Sequence, residues 1–138
     1  MGRIWIKDVK GKKIKRLTAT ERPREFMPAW SSDGNWISFI TWDESGGHLW
    51  KARSDGNGKP IRLSKKAALW LDPAWSPDGA SIVALRAPLK STLASPNLKN
   101  GVVPNDSELM LISSESGDIR FITKSEGRRR THFGPSSQ

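Results

Sequence analysis

Apolar positions in this chain come in short bursts separated by clusters of Gly, Pro, Asp, Asn and Ser. The bursts are "WISFI" (36–40), "HLWKAR" (48–53), "PIRLS" (60–64), "SIVAL" (81–85), "ELMLIS" (108–113) and "IRFIT" (119–123). They are rich in Ile, Val, Trp, Phe and Thr, side chains that suit a pleated, half-buried surface. No stretch sustains the 3.6-residue period of an amphipathic helix. The pattern predicts strands throughout and essentially no helix.

The bursts recur. "PAWSSDG" (28–34) returns as "PAWSPDG" (73–79), an offset of 45. The same offset aligns Trp5 with Trp50, Gly11 with Gly56 and Ile37 with Ile82. Arg16-Leu17-Thr18 matches Arg62-Leu63-Ser64 after one inserted residue. A third, stretched round places Arg120-Phe121-Ile122-Thr123 at the "RLT" position and Phe133-Gly134-Pro135 at the "WSP" position. The stretching comes mainly from a polar insertion at about 86–107, of a length that marks a functional or irregular loop.

The repeated heptad has turn chemistry. Pro77 presets φ for the first central position of a type I turn, Asp78 tolerates the second, and Gly79 can take the left-handed conformation that follows. In the first copy, Ser32 replaces the proline and Asp33 and Gly34 keep their places. Pro28, Trp30, Asp33 and Gly34, with Pro73, Trp75, Asp78 and Gly79, are therefore read as a structural motif closing a hairpin. Trp5, Trp30, Trp50 and Trp75 belong to the register and are expected in the core. "SDGNGKP" (54–60) and "SESGD" (114–118) supply the other turns.

Four short strands per repeat with one aromatic anchor predict an all-β fold, a partial β-propeller of four-stranded antiparallel blades. The chain holds about two whole blades and pieces of two more. Residues 1–26 read as the latter half of a blade plus a linker. Residues 27–71 read as a complete blade, 72–130 as a complete blade with the insertion, and 131–138 as the first strand of a further blade.

These copies, with "IWIKDVKGKKIKRLT" (4–18) as the latter half of an earlier one, resemble the WD-like repeat of TolB-type β-propellers. That repeat also occurs in prolyl oligopeptidase- and tricorn-like peptidases and in the N-terminal part of certain large amidohydrolases. The stretch from "LRAPLKS" (85–91) to "GDIRFITKSEGRRRTHFG" (117–134) looks most like the amidohydrolase group. The resemblance implies a non-catalytic scaffold or protein-interaction module within a larger amidohydrolase-associated protein. A propeller segment of a peptidase and a free-standing oligomeric binder are the alternatives. The implied partners are proteins: the remainder of a propeller, a hydrolase domain or other copies of the chain. The implied setting is periplasmic or exported, although the start "MGRIWIKDVKGKK" lacks the apolar core of a signal peptide.

Charge changes the picture little. The net charge is +9, which invites a nucleic-acid reading. Residues 1–26 contribute nine Lys/Arg against three Asp/Glu, and 124–138 four against one, while 27–123 balance at ten each. The excess is confined to the ends, so nucleic acid is not the expected partner. No run of 18 apolar residues is present, so no membrane span is expected.

Candidate chemistry is sparse. There is no cysteine, and the two histidines, His48 and His132, form no metal-binding pattern. His48 is expected at an exposed turn edge. No G-x-S-x-G elbow occurs. Asp43 and Glu44 are adjacent on an extended segment and would point apart, which argues against a general acid/base pair. No catalytic, metal or cofactor residue is assigned. Trp42 and Trp70 flank loops outside the register, and are the candidates for anchoring a partner.

Overall fold

A computed structural model describes residues 2–11, 13–94 and 106–124. Among these residues ten strands form three sheets, and one short helix accompanies them. Strands β1 (Trp5–Lys7) and β2 (Ile14–Arg16) pair alone. Strands β3 (Arg24–Trp30), β4 (Trp36–Asp43), β5 (Gly46–Arg53) and β6 (Ile61–Arg62) make one antiparallel four-stranded sheet in chain order. Strands β7 (Leu69–Trp75), β8 (Ser81–Ala87), β9 (Glu108–Ser113) and β10 (Ile119–Lys124) make the other. The fold is a partial β-propeller of antiparallel sheets, two four-stranded and one two-stranded.

The two-stranded sheet repeats the pairing geometry of β5 and β6. The Leu17 amide donates to the Ile4 carbonyl at 2.9 Å, and Leu63 donates to Leu49 at 2.9 Å. Trp5 pairs with Arg16 as Trp50 pairs with Arg62. Thus β1 and β2 stand in their sheet where β5 and β6 stand in theirs.

Both heptad turns close in the same way. The Gly34 amide bonds the Ser31 carbonyl and the Gly79 amide the Ser76 carbonyl, each at 2.9 Å, with φ of 73° and 72° at the glycines. Asp33 accepts from the Ser31 hydroxyl at 2.6 Å and the Asn35 amide at 3.0 Å. Asp78 accepts from the Ser76 hydroxyl at 2.5 Å and the Ala80 amide at 2.9 Å. These bonds stabilise the ionised carboxylates and hold both below the usual aspartate range.

The proline of each motif sits in a bulge. Pairing skips from Phe26 opposite Ile40 to Ala29 opposite Ser38, and from Leu71 opposite Leu85 to Ala74 opposite Val83. Met27 and Asp72, one repeat apart, carry positive φ of 50° and 49° there. A bulge on the edge strand of a sheet is where a residue without an N–H does least harm to the ladder. The expected blade boundaries at 27 and 72 fall inside these strands, which begin at Arg24 and Leu69.

Two apolar layers separate the sheets. Ile40, Leu49, Leu63, Ala68, Trp70, Ile82, Ala84, Met110 and Ile112 fill the seam between the four-stranded sheets. Ile4, Leu17, Ile37, Phe39 and Ala52 fill the seam between β1–β2 and its neighbour. Each large side chain buried fully in this way contributes roughly 1.5–3 kcal/mol. Lys51 is also buried, its ammonium 4.3 Å from the centre of the Trp36 ring, and burial pushes its pKa down.

Expectation and structure differ at the helix. The short α1 (Leu89–Ala94) follows β8, with the Thr92 amide bonded to the Pro88 carbonyl at 3.0 Å. Six residues are too few to display a helical period, so the pattern could not reveal it. The insertion it begins replaces the tight Asp43-to-Gly46 turn of the other sheet. An ion pair between Arg86 and Glu108 closes its base. Residues 95–105, the run 127–130, His132 and the expected strand at 131–138 lie outside the described residues.

Candidate protein-docking site

The seam between the two complete sheets shows what a blade face requires. Strand β7 crosses the face of β3–β5, and Trp75, paired with Ile82, turns its ring into the seam. Its indole Nε1–H donates to the Ala29 carbonyl at 3.1 Å. The Asp72 amide donates to the Met27 Sδ at 3.4 Å, and the Ser32 hydroxyl to the Ser76 carbonyl at 3.3 Å. Corresponding positions of successive repeats are thus knitted together along their first strands.

One repeat earlier, Trp30 has no such partner among the described residues. Trp30 pairs with Ile37 as Trp75 pairs with Ile82, yet 55% of its surface is exposed. Its indole has no hydrogen bond among the described residues. The expectation of a core tryptophan fails here because burial depends on the neighbouring sheet, which among the described residues consists of β1 and β2.

Trp5 departs from expectation for a related reason. Its counterpart Trp50 stacks on Phe39 across β4 and β5, with ring centroids 6.5 Å apart. The Trp50 Nε1–H donates to the Thr41 hydroxyl at 2.9 Å. Both contacts come from the second strand of the sheet. In the sheet that holds Trp5, no described residue supplies that strand, and Trp5 is 59% exposed. Ile14 on β2 is exposed as well. Alternate main-chain groups of β1 face away from β2 and leave an open edge.

The other candidates separate. Trp70 is corrected from loop anchor to core residue: it is 1% exposed, and lies at the seam beside Ile82 and Met110. Trp42 is half-buried and lines a cleft of about 580 Å³ with Arg3, Glu21, Arg22, Arg24 and Glu44. The Arg16 guanidinium, 2.8 Å from Glu21, holds that carboxyl below its usual range. His48 is corrected too. It is half-buried, and its Nδ1 lies 3.0 Å from the Ser64 hydroxyl and 3.1 Å from the Ser64 carbonyl, which makes it part of the β5–β6 join. Asp43 is bound up in its turn, where the Ser45 amide and hydroxyl hold its pKa down.

Sequence reasoning passed over Glu25. It is buried at 3% exposure, and accepts from the Ile4 amide at 3.2 Å and from the Thr18 hydroxyl. It ties the two-stranded sheet to its neighbour. The offset of 45 that pairs it with buried Trp70 is the only signal that could have found it. Among the described residues, no three His, Cys, Asp or Glu side chains converge as a metal site would require. No helix there is long and apolar enough to cross a membrane.

No family model and no curated protein matches the chain. Solved structures do match. A putative TolB from Agrobacterium tumefaciens superposes with a TM-score of 0.69 at 23% identity, over 91% of this chain and 43% of that one. TolB from Acinetobacter baumannii gives 0.66 at 17% identity, over 92% and 28%. A puromycin hydrolase S511A mutant complexed with PGG gives 0.57 at 17% identity, over 82% and 16%. The chain therefore has a TolB-like propeller fold, and spans less than half the length of these proteins.

Proposed function

We propose that the chain is a non-catalytic TolB-like propeller segment that acts as a scaffold and protein-interaction module. The observation that carries this reading is the pair of exposed indoles, Trp5 and Trp30, on sheet faces whose counterparts are covered. Exposed tryptophans beside an open strand edge suit a protein surface rather than a small molecule. The side chains capable of chemistry have structural work: His48 joins β5 to β6, and Asp33, Asp43 and Asp78 close turns.

The larger protein in this proposal carries an amidohydrolase domain, in line with the resemblance of residues 85–134. A peptidase parent is the second reading, favoured by the likeness to the puromycin hydrolase. The coding sequence that flanks this chain separates the two. A metal-binding barrel pattern supports the first and a G-x-S-x-G hydrolase the second. The non-catalytic part is tested on the purified chain, with cyclic-amide and peptidyl p-nitroanilide substrates in zinc-containing buffer. The expected turnover equals the buffer blank. Turnover abolished by chelation would overturn the reading.

A further inference from the structure

We propose that a cleft at the seam between β1–β2 and its neighbouring sheet binds a small organic ammonium ion with an apolar body, recognised by the buried carboxylate of Glu25. The site is separate from the exposed indoles Trp5 and Trp30, and goes beyond the protein-binding reading.

The cleft encloses about 480 Å³, a volume that suits a small molecule. The segment 17–25 forms one wall, and β4, β5 and the turn before β6 form the other. Phe39 and Trp50, stacked on each other, both line it. The equivalent cleft between the two four-stranded sheets takes its lining from 65–68, from β8 and from the turn before β10, and none from β3 or β4. The first two strands of a preceding sheet are therefore not what shapes this space.

Glu25 carries the argument. It is 3% exposed, and has no ion-pair partner among the described residues. Its Oε2 accepts from the Ile4 amide at 3.2 Å. Its Oε1 accepts from the Thr18 hydroxyl and, at 3.4 Å, from the Thr20 hydroxyl. A carboxylate offers about four acceptor positions, so room for a further donor remains. These bonds tie the sheets together, a task that a neutral amide could share. The charge itself has no use in that task, and a buried charge without a counter-charge is costly. Nor does the repeat require it. Trp70 holds the same place one repeat on, opposite Arg86 as Glu25 is opposite Thr41.

An ammonium ion supplies both the further donor and the counter-charge, in the charge-assisted bond that is the stronger kind. The ring faces of Phe39 and Trp50 attract the same charge. Leu17 and Pro60, also in the lining, suit an apolar body. Arg22 and Lys59 line the cleft too, but both are exposed, where water and salt screen them, whereas Glu25 is enclosed.

Three probes of one shape and different charge test this on the full chain: phenethylamine, phenethyl alcohol and phenylacetate. Each is titrated while NMR follows the Glu25 backbone amide and the Trp50 indole N–H. Phenethylamine is expected to shift both signals saturably, at least roughly tenfold more tightly than the alcohol, and phenylacetate to shift neither. Glu25→Gln keeps the side-chain shape and an acceptor, and is expected to weaken the amine at least roughly tenfold while leaving the alcohol unchanged. Trp50→Leu is expected to weaken the amine roughly threefold. Leu93→Ser, on an exposed face of α1, is expected to change nothing. If Glu25→Gln fails to fold, the three probes on the parent chain decide alone. Equal affinity for amine and alcohol, saturable binding of phenylacetate at these signals, or amine binding unchanged in a folded Glu25→Gln chain would overturn the proposal. So would shifts confined to the Trp5 and Trp30 indoles, because the ring would then be held by the exposed faces.

Discussion

The indole N–H of Trp75 donates to the carbonyl of Ala29 across the seam between two sheets, 3.1 Å away and one repeat back in the chain. Trp75→Phe keeps most of the ring and removes that donor, leaving the carbonyl the longer side-chain bond from the Ser38 hydroxyl at 3.4 Å. The expected loss is about 1–2 kcal/mol. The equivalent change at Trp30, whose indole is exposed and unbonded, is expected to stay within about 0.5 kcal/mol. Urea unfolding of the two variants beside the parent chain reads the difference. Equal losses would mean that the seam bond contributes nothing of its own.

The contrast between these tryptophans also shows what a linear pattern can carry. The register at 45, the heptad turns and the strand runs are local, so alternation and turn residues sufficed to place them. Burial of Trp30 is set by another sheet and that of Trp5 by the second strand of its own sheet, and no local pattern reports whether those neighbours are in place. The bulges at Met27 and Asp72 were illegible for a different reason. Positive φ announces itself most strongly as glycine, then as asparagine or aspartate; Met27 carries no such mark, and Asp72 carries only the weaker one. Glu25 was hidden because a charged residue in a strand reads as solvent-facing, whereas here it accepts bonds from Ile4, just before β1, and from Thr18, just after β2. Of the candidate docking site, the tryptophans themselves were visible in the sequence. The open edge of β1 was not, since it takes the pairing of β1 with β2 to define it.

The glycines divide by what a side chain would meet. At Gly34 and Gly79 an added Cβ has open space, so alanine costs only the left-handed backbone, about 1–2 kcal/mol. At Gly117, φ is 73° and the Cβ would lie 2.7 Å from the Leu63 carbonyl oxygen. Backbone against backbone cannot yield cheaply, so Gly117→Ala is expected to cost more than about 3 kcal/mol. Thermal melts of the three variants test the order. A Gly117→Ala protein as stable as Gly79→Ala would show that the β9–β10 turn is not held against the β6 region.

Trp70 fills the seam, but its indole N–H has no hydrogen-bond partner among the described residues. Removing an unsatisfied buried donor offsets part of the volume lost. Trp70→Phe is therefore expected to cost less than about 1.5 kcal/mol. Trp70→Ala leaves a cavity and is expected to cost about 3–5 kcal/mol. Denaturant midpoints separate the two, and a large loss for phenylalanine would reveal a partner for the N–H.

Asp33 and Asp78 have their pKa values depressed by the hydroxyl and amide donors of their turns. A carboxylate with a lower pKa folded than unfolded contributes stability fully above the unfolded value. That contribution fades as pH falls through the folded value. The chain should hold its stability from neutral pH down to about pH 5, and lose it progressively below about pH 4. Asp78→Ala removes one of the two groups. It should be less stable than the parent at neutral pH, and should lose less on acidification, so the two stability curves converge as pH falls. Urea midpoints taken across that range test this. Parallel curves would mean that the turn bonds do not distinguish the charged from the neutral carboxyl.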